Sequence, residues 1–467
     1  MNSVWERFTL SDLPLSQWRG SSYLYRLVGP LQAWRQSSRL LQWADPIGAL
    51  LVSLLFGLAP FASRTLVLIL LVACAAYWVL LTLSDDTKTG LTPIHLLILL
   101  YWGISTVATA LSPVKKEAFL GWGKLTLFLL LFALMARVLR SPRLRSWLIT
   151  LYLHVALIVS VYGLRQWFFG AAQLATWVDT ESSLSKTTRV YSYLGNPNLL
   201  AAYLLPAIAL SLAAIWAWRG WVPKALAIIM FVINSACLVL TFSRGGWIGF
   251  VAIIFTFLLL LFYWWSVHLP RFWRTWSLPL VIGSLAGVLI LAVIFVEPLR
   301  DRVFSIFAGR EDSSNNFRIN VWTGVINMIR DRPLIGSGPG NDAFNKIYPL
   351  YQVSPRYTAL SAYSILLEIA VEIGLIGLGC FLWLLTVTFS LGMQQLRRLR
   401  AVAGRDGFWL MGAIAGMIGL LSHGLFDTVW YRPQVNTLWW LVVALIASYY
   451  KPDRLALKGE QEVRDRC

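Results

Sequence analysis

The sequence predicts an all-α fold: a polytopic helical membrane protein with about twelve transmembrane helices and one large outer (periplasmic) loop. Apolar runs of about 18 residues or more recur from Pro46 almost to the C-terminus, and such runs are longer than the helices of soluble cores require. Hydrophobic residues make up 58% of the 467 residues and charged residues only 13%. So few charged residues could not cover a soluble globule of this size.

The distribution of basic residues is the third observation. The formal net charge is +18, which in a soluble protein would suggest a nucleic-acid partner. Here the basic residues gather in short connections between apolar runs, as in the cluster Arg137, Arg140, Arg143 and Arg145. Short basic connections mark the cytoplasmic side of a membrane protein. We therefore expect a multi-pass protein of the inner (plasma) membrane, surrounded by lipid, with both termini in the cytoplasm and no nucleic-acid partner.

The elements follow in order along the chain. Residues 1–45 hold several arginines among scattered aromatic residues and lack the compact apolar stretch of a signal peptide, so we expect a cytoplasmic, partly interfacial segment. Nine helices are predicted in 46–297 and three in 361–450, followed by a cytoplasmic tail at 451–467. The predicted spans are 46–62, 65–83, 92–111, 118–137, 146–168, 192–217, 222–241, 246–265, 276–297, 361–392, 407–426 and 434–450.

Residues 298–360 form the long polar connection that becomes the outer loop, and a connection of this length is usually functional or disordered. In "NNFRINVWTGVINMIRDRP", Phe317, Val321, Val325 and Ile329 recur at i, i+4 spacing after a Ser/Asn capping stretch. We expect an amphipathic helix on the outer membrane face or over the bundle. The following "LIGSGPGN" predicts a tight glycine turn, but it does not lie between a strand and a helix as a nucleotide-phosphate loop would.

The cysteines argue against redox and metal chemistry. Cys74, Cys237 and Cys380 lie inside apolar runs and Cys467 is the last residue, so no disulfide framework or clustered metal-ligand spacing is present. The sequence also contains no nucleotide-binding domain. We expect no metal and no cofactor.

Two arginines at the outer side are candidate anion ligands. Arg244 in "LVLTFSRGGWIGF" stands between two apolar runs and precedes the pair Gly245 and Gly246, which leave room for a backbone or an anion to approach. Arg318 stands four residues before Trp322, on the same face of the predicted loop helix. A guanidinium group binds carboxylate, bicarbonate or phosphate oxygens bidentately. Anchoring at the membrane interface, or a solvated helix face, is the alternative.

Buried acidic residues and a histidine are further pocket or coupling candidates. Glu368 and Glu372 lie four residues apart on one helix face, two to three turns below its predicted outer end. Carboxylates at that depth are costly unless they are paired or face a cavity. They could carry a coupling proton or sodium ion, or pair with an arginine such as Arg244. His423, with Asp427 four residues later, could titrate near the outer end or be structural.

Several stretches together resemble the O-antigen ligase and polymerase family of bacterial membrane proteins. They are "YLGNPNLLAAYL" with Asn196 and Asn198, "TFSRGGW" with Arg244, "FRINVW" with Arg318, "RDRPLIGSGPGN" and "EIGLIGLG". Their order, and the large loop before the last three spans, extend the resemblance over roughly residues 190–450. Within the family, the whole chain is similar to a cyanobacterial group assigned to inorganic-carbon accumulation.

The resemblance implies a chemistry and shows where this chain departs from it. Family enzymes transfer or polymerise glycans carried on polyprenyl diphosphate, with outer arginines on the diphosphate and a histidine as base at the helix that follows the loop. Arg244 and Arg318 match the arginine positions, whereas Ala362, Tyr363 and Ser364 stand where the family pattern reads Ala-His-Asn. A tyrosine of pKa about 10 is a poor base at neutral pH.

Because that histidine is missing, the sequence favours transport over catalysis and leaves enzyme activity open. The preferred hypothesis is a carrier of bicarbonate or another small anion, with Arg244 and Arg318 as anion ligands. The alternative is a ligase or polymerase acting on polyprenyl-diphosphate-linked glycans. A third hypothesis is an accessory subunit that binds other transporter subunits.

Overall fold

A computed structural model describes residues 2–10, 31–38, 42–84, 91–172, 188–295, 300–301, 303–304 and 309–451 of the chain. Much of the predicted N-terminal segment, and the predicted tail from residue 452 with Cys467, lie outside the described residues. Of the described residues 80% are helical and none forms a strand, which confirms the all-α prediction.

Sixteen α-helices of six residues or more are numbered here in chain order. They are α1 (Asn2–Phe8), α2 (Gln32–Ser37), α3 (Ala44–Leu58), α4 (Arg64–Ser84), α5 (Pro93–Ala110), α6 (Lys115–Val138), α7 (Pro142–Phe169), α8 (Pro197–Ala217), α9 (Trp221–Leu240), α10 (Arg244–Trp265), α11 (Arg271–Phe295), α12 (Ser313–Asp331), α13 (Asn341–Ile347), α14 (Ile365–Ala401), α15 (Asp406–Gly424) and α16 (Pro433–Ser448).

Each predicted span overlaps one helix. In the described parts of the chain, nine helices are long and apolar enough to cross a membrane, and α3 and α16 are shorter apolar helices. Helices α3 to α11 precede the large loop and α14 to α16 follow it. Their backbone groups bond within each helix, which is what a lipid environment demands.

The core of the bundle is formed by α8 and α15, the two most buried of the apolar helices. Small residues let their neighbours approach closely: a Cβ on Gly249 of α10 would lie 2.7 Å from the Gly419 carbonyl oxygen of α15. Likewise, a Cβ on Gly412 of α15 would lie 2.8 Å from the Ala213 Cβ of α8. Close packing of this kind drives helix association where lipid removes the hydrophobic driving force.

Basic residues at one end of the bundle join helices to each other. The Arg145 guanidinium of α7 donates from Nη2 to Asp406 Oδ2 of α15 at 2.7 Å and lies 4.2 Å from the centroid of the Tyr449 ring. Arg137 of α6 donates to Asp45 of α3 at 2.9 Å. Two members of the basic cluster therefore pair with acidic residues, in addition to any part they have in orientation.

The other end carries the segment 309–364 and is called the loop end below. Helix α12 lies there, with Val321, Val325 and Met328 buried against Phe344 and Tyr348. The loop therefore has a small apolar core of its own.

The glycine turn enters the bundle and docks on a kink in α14. Ile373 and Gly374 break the helix, with φ +73° at Gly374. The Gly338 amide donates to the Glu372 carbonyl oxygen at 2.8 Å, and the Leu375 amide donates to the Pro333 carbonyl oxygen at 2.7 Å. The amides of this turn thus bind the unwound backbone of α14.

Candidate anion site and the neighbouring cavity

Arg244 is the first residue of α10, and its side chain points into the protein. Ser243 caps the helix by accepting from the Gly246 amide at 3.2 Å. Arg244 is 7% exposed, and its Nη2 donates to Asp312 Oδ1 at 3.0 Å. A guanidinium that pairs with the loop across the top of the bundle is not snorkelling to lipid head groups. The anchoring alternative therefore does not describe Arg244.

Asp312 and Arg318 are both held by α12. Asp312 caps this helix by accepting from the Asn315 amide at 2.8 Å, and its side chain is 13% exposed. The Arg318 Nη1 donates to Ser314 Oγ at 2.9 Å, and its Nη2 lies 3.8 Å from Asp427 Oδ2. The Arg318 Nε is buried, and no described group accepts from it. Arg318 thus keeps one buried N–H donor without a described acceptor.

A third arginine, Arg189, belongs to the same cluster and was missed by the sequence analysis. Its Nε donates to the Thr241 carbonyl oxygen at 3.0 Å and its Nη2 to Asn198 Oδ1 at 3.3 Å. Burial lowers the pKa of Arg189 to about 10, and the positive charges of Arg318 and Arg244 act in the same direction while Asp427 opposes them. The signal in the sequence was its place just before the "YLGNPN" stretch.

These five residues, Arg189, Arg244, Arg318, Asp312 and Asp427, are called the arginine cluster below. The charges of Arg244 and Arg318 also act on each other. Among the described residues of this cluster, three guanidinium groups face two carboxylates. In a buried setting such charges act on an anion more strongly than they would in water.

Of the two predicted asparagines, one is structural and one orients an arginine. Asn196 caps α8, where its Oδ1 accepts from the amides of Asn198 at 2.8 Å and Leu199 at 3.2 Å. Asn198 Oδ1 accepts from Arg189. Asn196 therefore acts on the site only indirectly, because its hydrogen bond to the Asn198 amide helps to position Asn198.

His423 lies beside the arginine cluster and is completely buried. Its ring packs on Gly245: a Cβ there would lie 3.4 Å from His423 Cδ2 and 3.6 Å from Nε2. The ring also lies near the charges of Asp427 and Arg318 and the backbone of Asn198. Neither ring nitrogen has a hydrogen-bond partner among the described residues. A buried imidazole without a well-aligned hydrogen bond is uncommon and calls for an explanation.

The glycine pair after Arg244 serves packing. Gly245 accommodates the His423 ring, and a Cβ on Gly246 would lie 2.7 Å from the Ala201 Cβ of α8. The bulk that these glycines remove is thus filled by α15 and α8. Of the two possibilities that the sequence left open, a neighbouring helix or an anion, the neighbouring helices occupy this space. Their packing brings His423 next to Arg244.

Tyr363, at the position where the family pattern has histidine, also borders the cluster. Its ring packs edge-on against Phe317 with centroids 5.6 Å apart, and its backbone has φ +51°, which is unusual for a residue other than glycine. Burial, with the negative charge of Asp427, raises the pKa of the Tyr363 hydroxyl above its usual range. Its hydroxyl therefore stays protonated and is a poor general base.

Glu368 and Glu372 lie apart from the arginines. Glu368 Oε2 accepts from the Ala362 amide at 2.6 Å, and the Gly340 backbone lies close to the Glu372 carboxylate. Arg244 pairs with Asp312, so the alternative in which these glutamates pair with Arg244 is wrong. Instead both carboxylates line a cavity of about 600 Å³.

This cavity, called the glutamate cavity below, has aromatic walls and a polar rim. Tyr101, Phe381, Trp439 and Trp440 line it among apolar residues of α4, α5, α6, α14 and α16. At its rim stand charged and polar residues of the loop end: Arg64, Lys124, Asn341, Asp342, Tyr431 and Arg432. A mostly apolar concavity with a few converging polar groups is typical of a ligand site.

The connection between α15 and α16 separates the glutamate cavity from the arginine cluster. Asp427 belongs to the cluster, whereas Thr428 and Tyr431 line the cavity. Burial, with the negative charges of Asp427 on one side and Glu368 on the other, raises the pKa of the Tyr431 hydroxyl to about 12. The Trp322 indole donates to the Ala362 carbonyl oxygen at 3.0 Å, and the Ala362 amide binds Glu368. The two sites are therefore neighbours.

Comparison with known proteins bears on both sites. A family model described as O-Antigen ligase matches residues 229–382, which is less than half of the chain. The matched segment includes Arg244, Arg318, Tyr363 and both glutamates, but ends before His423. No curated protein matches the chain. Residues 229–382 of this membrane protein are thus similar to O-antigen ligases, the family that its sequence motifs resemble.

Proposed function

We propose that this protein transfers or polymerises glycans carried on polyprenyl diphosphate at the loop end of the bundle. The observation that carries the proposal is that the two arginines at the family's positions share one buried cluster with a histidine at its edge. The match to the O-antigen ligase model supports this function over carriage of bicarbonate. A role in inorganic-carbon transport, or as a subunit of a transporter, gains no support from the comparisons.

The proposed reaction uses the arginine cluster to hold the leaving group. An acceptor sugar hydroxyl attacks the anomeric carbon of the donor glycan, the bond from that carbon to the diphosphate oxygen breaks, and a glycosidic bond forms. The polyprenyl diphosphate leaves with the electron pair of the broken bond. Arg244 and Arg318 stabilise the charge that develops on it, and fixed donors of this kind contribute most in a site that excludes water.

The hydroxyl proton needs an acceptor, and we assign that role to His423. No described residue forms a well-aligned hydrogen bond with its ring nitrogens, although the Asn198 backbone lies nearby. The ring lies beside Arg244, and Asp427 at the same helix end bears on its charge. A neutral imidazole accepts the proton and Asp427 stabilises the resulting imidazolium. The histidine that the family pattern places at residue 363 would thus be replaced from another helix.

The test compares surface glycans of a strain without the gene after complementation with wild type, Arg244→Lys, Arg318→Lys or Arg330→Lys. Lysine keeps the charge but loses the planar fork. We expect Arg244→Lys and Arg318→Lys to lower transfer by about 10²-fold. Arg330, which is exposed on the same helix as Arg318, is the matched control and should leave transfer unchanged.

Two results would contradict the proposal. One is a glycan profile that does not change when the gene is deleted. The other is equal transfer by Arg244→Lys and Arg330→Lys at equal protein levels. Uptake of labelled bicarbonate, measured in the same strains, separates the competing function: uptake that falls in Arg244→Lys while glycans stay normal would favour the anion carrier.

A further inference from the structure

The glutamate cavity is surrounded by buried polar atoms that lack partners. Six of the residues that line it each carry a buried side-chain oxygen or nitrogen with no hydrogen-bond partner among the described residues. They are Glu368 Oε1, Thr428 Oγ1, Trp430 Nε1, Asn436 Oδ1, Trp439 Nε1 and Trp440 Nε1. Buried polar groups are normally satisfied, because leaving them unpaired costs free energy. So many around one cavity point to a ligand that can both donate and accept.

In Glu368 and Asn436, a hydrogen bond made by the other polar atom of the same side chain holds the unpaired oxygen in position. Glu368 uses Oε2 to accept from the Ala362 amide at 2.6 Å, which fixes the carboxylate and leaves Oε1 as an acceptor. Asn436 uses Nδ2 to donate to the Trp430 carbonyl oxygen at 2.9 Å, which leaves Oδ1 as an acceptor. The three indole N–H groups are donors only. Acceptors and donors on fixed side chains therefore border the cavity.

Three of the aromatic rings that line the cavity pack against one another. The ring centroids of Trp430 and Trp439 are 4.3 Å apart, and the Phe381 ring lies 6.1 Å from each of them. Aromatic rings that line a site can pack against the C–H faces of a sugar ring, while hydroxyls of the same sugar bond to carboxylate, amide and indole groups around it. A plain hydrocarbon chain would leave all six polar atoms unpaired.

We infer that the glutamate cavity binds a hydroxyl-rich sugar ring, and that this ring belongs to the acceptor glycan. The acceptor role rests on the proposed function, whereas sugar binding does not. The volume of about 600 Å³ lies within the usual range for small-molecule sites. The polar rim at the loop end leads to the arginine cluster through Tyr431, so an acceptor seated here is next to the place where we put the diphosphate.

The first experiment measures sugar binding without any transfer. Wild-type protein in phosphatidylcholine nanodiscs is titrated calorimetrically with glucose, galactose, N-acetylglucosamine and maltotriose. We expect at least one of them to bind. Glu368→Gln, which keeps an acceptor for the Ala362 amide, and Trp439→Phe, which keeps a ring, should each weaken binding about tenfold or more. Trp221→Phe, at a residue that is 80% exposed, should change nothing.

Absence of binding by the wild-type protein would overturn the inference, since a lipid chain in the cavity gives that result. Equal binding by wild type, Glu368→Gln and Trp439→Phe would overturn it as well.

The second experiment distinguishes this inference from the proposed function. Arg244→Lys should bind the sugar as tightly as wild type while it loses transfer. If the wild-type protein binds sugar but transfers no glycan, the proposed function is wrong, whereas the inference that the cavity binds a sugar is kept. If Glu368→Gln transfers glycan at the normal rate, the cavity does not bind the acceptor glycan, whereas the proposed function is kept.

Discussion

At the residue scale, the arginine cluster shows how charges are kept inside a membrane protein. Arg244 and Asp312 form a pair in which both side chains are largely buried, at 8% and 13% exposure. Removing one partner of a buried pair leaves the other charge unpaired, which costs more than the pair itself contributes. Asp312 has a second duty as the cap of α12. Its two duties can be separated by substitution.

Substitution of Asp312 is expected to destabilise the protein in two steps. Asp312→Asn keeps a good cap but removes the charge, and we expect a loss of about 3 kcal/mol in the free energy of unfolding. Asp312→Ala also removes the cap and should cost about 1 kcal/mol more. Unfolding of purified protein in mixed micelles measures both values. Equal stability of Asp312→Asn and wild type would mean that the pair with Arg244 contributes nothing.

Substitution of His423 is expected to remove catalysis more than folding. Asn is close to the ring in size and polarity but cannot act as a base, so His423→Asn should lower the initial rate of glycan transfer by about 10²–10⁴-fold. His268→Asn, at an exposed residue away from the loop end, is the control. In wild type, transfer should fall at acid pH, where protonation removes the base. If His423→Asn keeps both the rate and this acid limb, His423 is not the base.

At the element scale, the break in α14 is what brings the loop into the bundle. A continuous helix would satisfy its own backbone, whereas the break at Ile373 and Gly374 frees groups that bond to residues 333–338. A Cβ on Gly374 would lie 2.1 Å from the Leu334 carbonyl oxygen, and the backbone there has φ +73°. Both the close contact and the positive φ therefore require glycine at this position.

Two glycines of α14 should respond oppositely to alanine. Gly374→Ala must push backbone against backbone and should cost about 4 kcal/mol or more in the free energy of unfolding. Gly379→Ala lies in the same helix with open space around it and should stabilise by about 0.5–1 kcal/mol. Thermal unfolding of the two variants beside wild type checks the contrast. A Gly374→Ala protein as stable as Gly379→Ala would show that the turn does not dock as described.

At the scale of the whole molecule, the helices alternate so that the long loop and the basic connections lie at opposite ends. Arg145 pairs with Asp406 at the start of α15, and the Arg400 guanidinium of α14 donates to the Trp264 carbonyl oxygen near the end of α10. The start of α10 meets the loop through Arg244 and Asp312. The positive-inside rule then predicts the loop end outside the cell membrane.

Labelling of single cysteines with a membrane-impermeant maleimide tests that orientation in intact cells. The background carries Cys467→Ser, and the remaining native cysteines are buried. Leu350→Cys, at an 82% exposed position of the loop, should react without permeabilisation. Val402→Cys, which is 74% exposed at the opposite end, should react only after it. The reverse pattern would place the loop, and both proposed sites, in the cytoplasm.

The sequence by itself determined the helices, their order and the identity of Arg244 and Arg318 as site candidates. Apolar run length and the need to satisfy the backbone in lipid are local properties, so they can be read from consecutive residues. The family resemblance located the two arginines in the same way, from short motifs.

Only the tertiary structure decided which side chains meet. Asp312, which pairs with Arg244, is 68 residues away in the chain. Arg189 reaches the cluster from the segment before α8, and His423 reaches it from α15. The sequence spacing of Glu368 and Glu372 predicted one shared helix face, but not that this face lines a separate cavity instead of pairing with Arg244. Such pairings depend on the rotation and kinks of packed helices, which small residues set by contact across the bundle. Helix spacing alone carries no information on them.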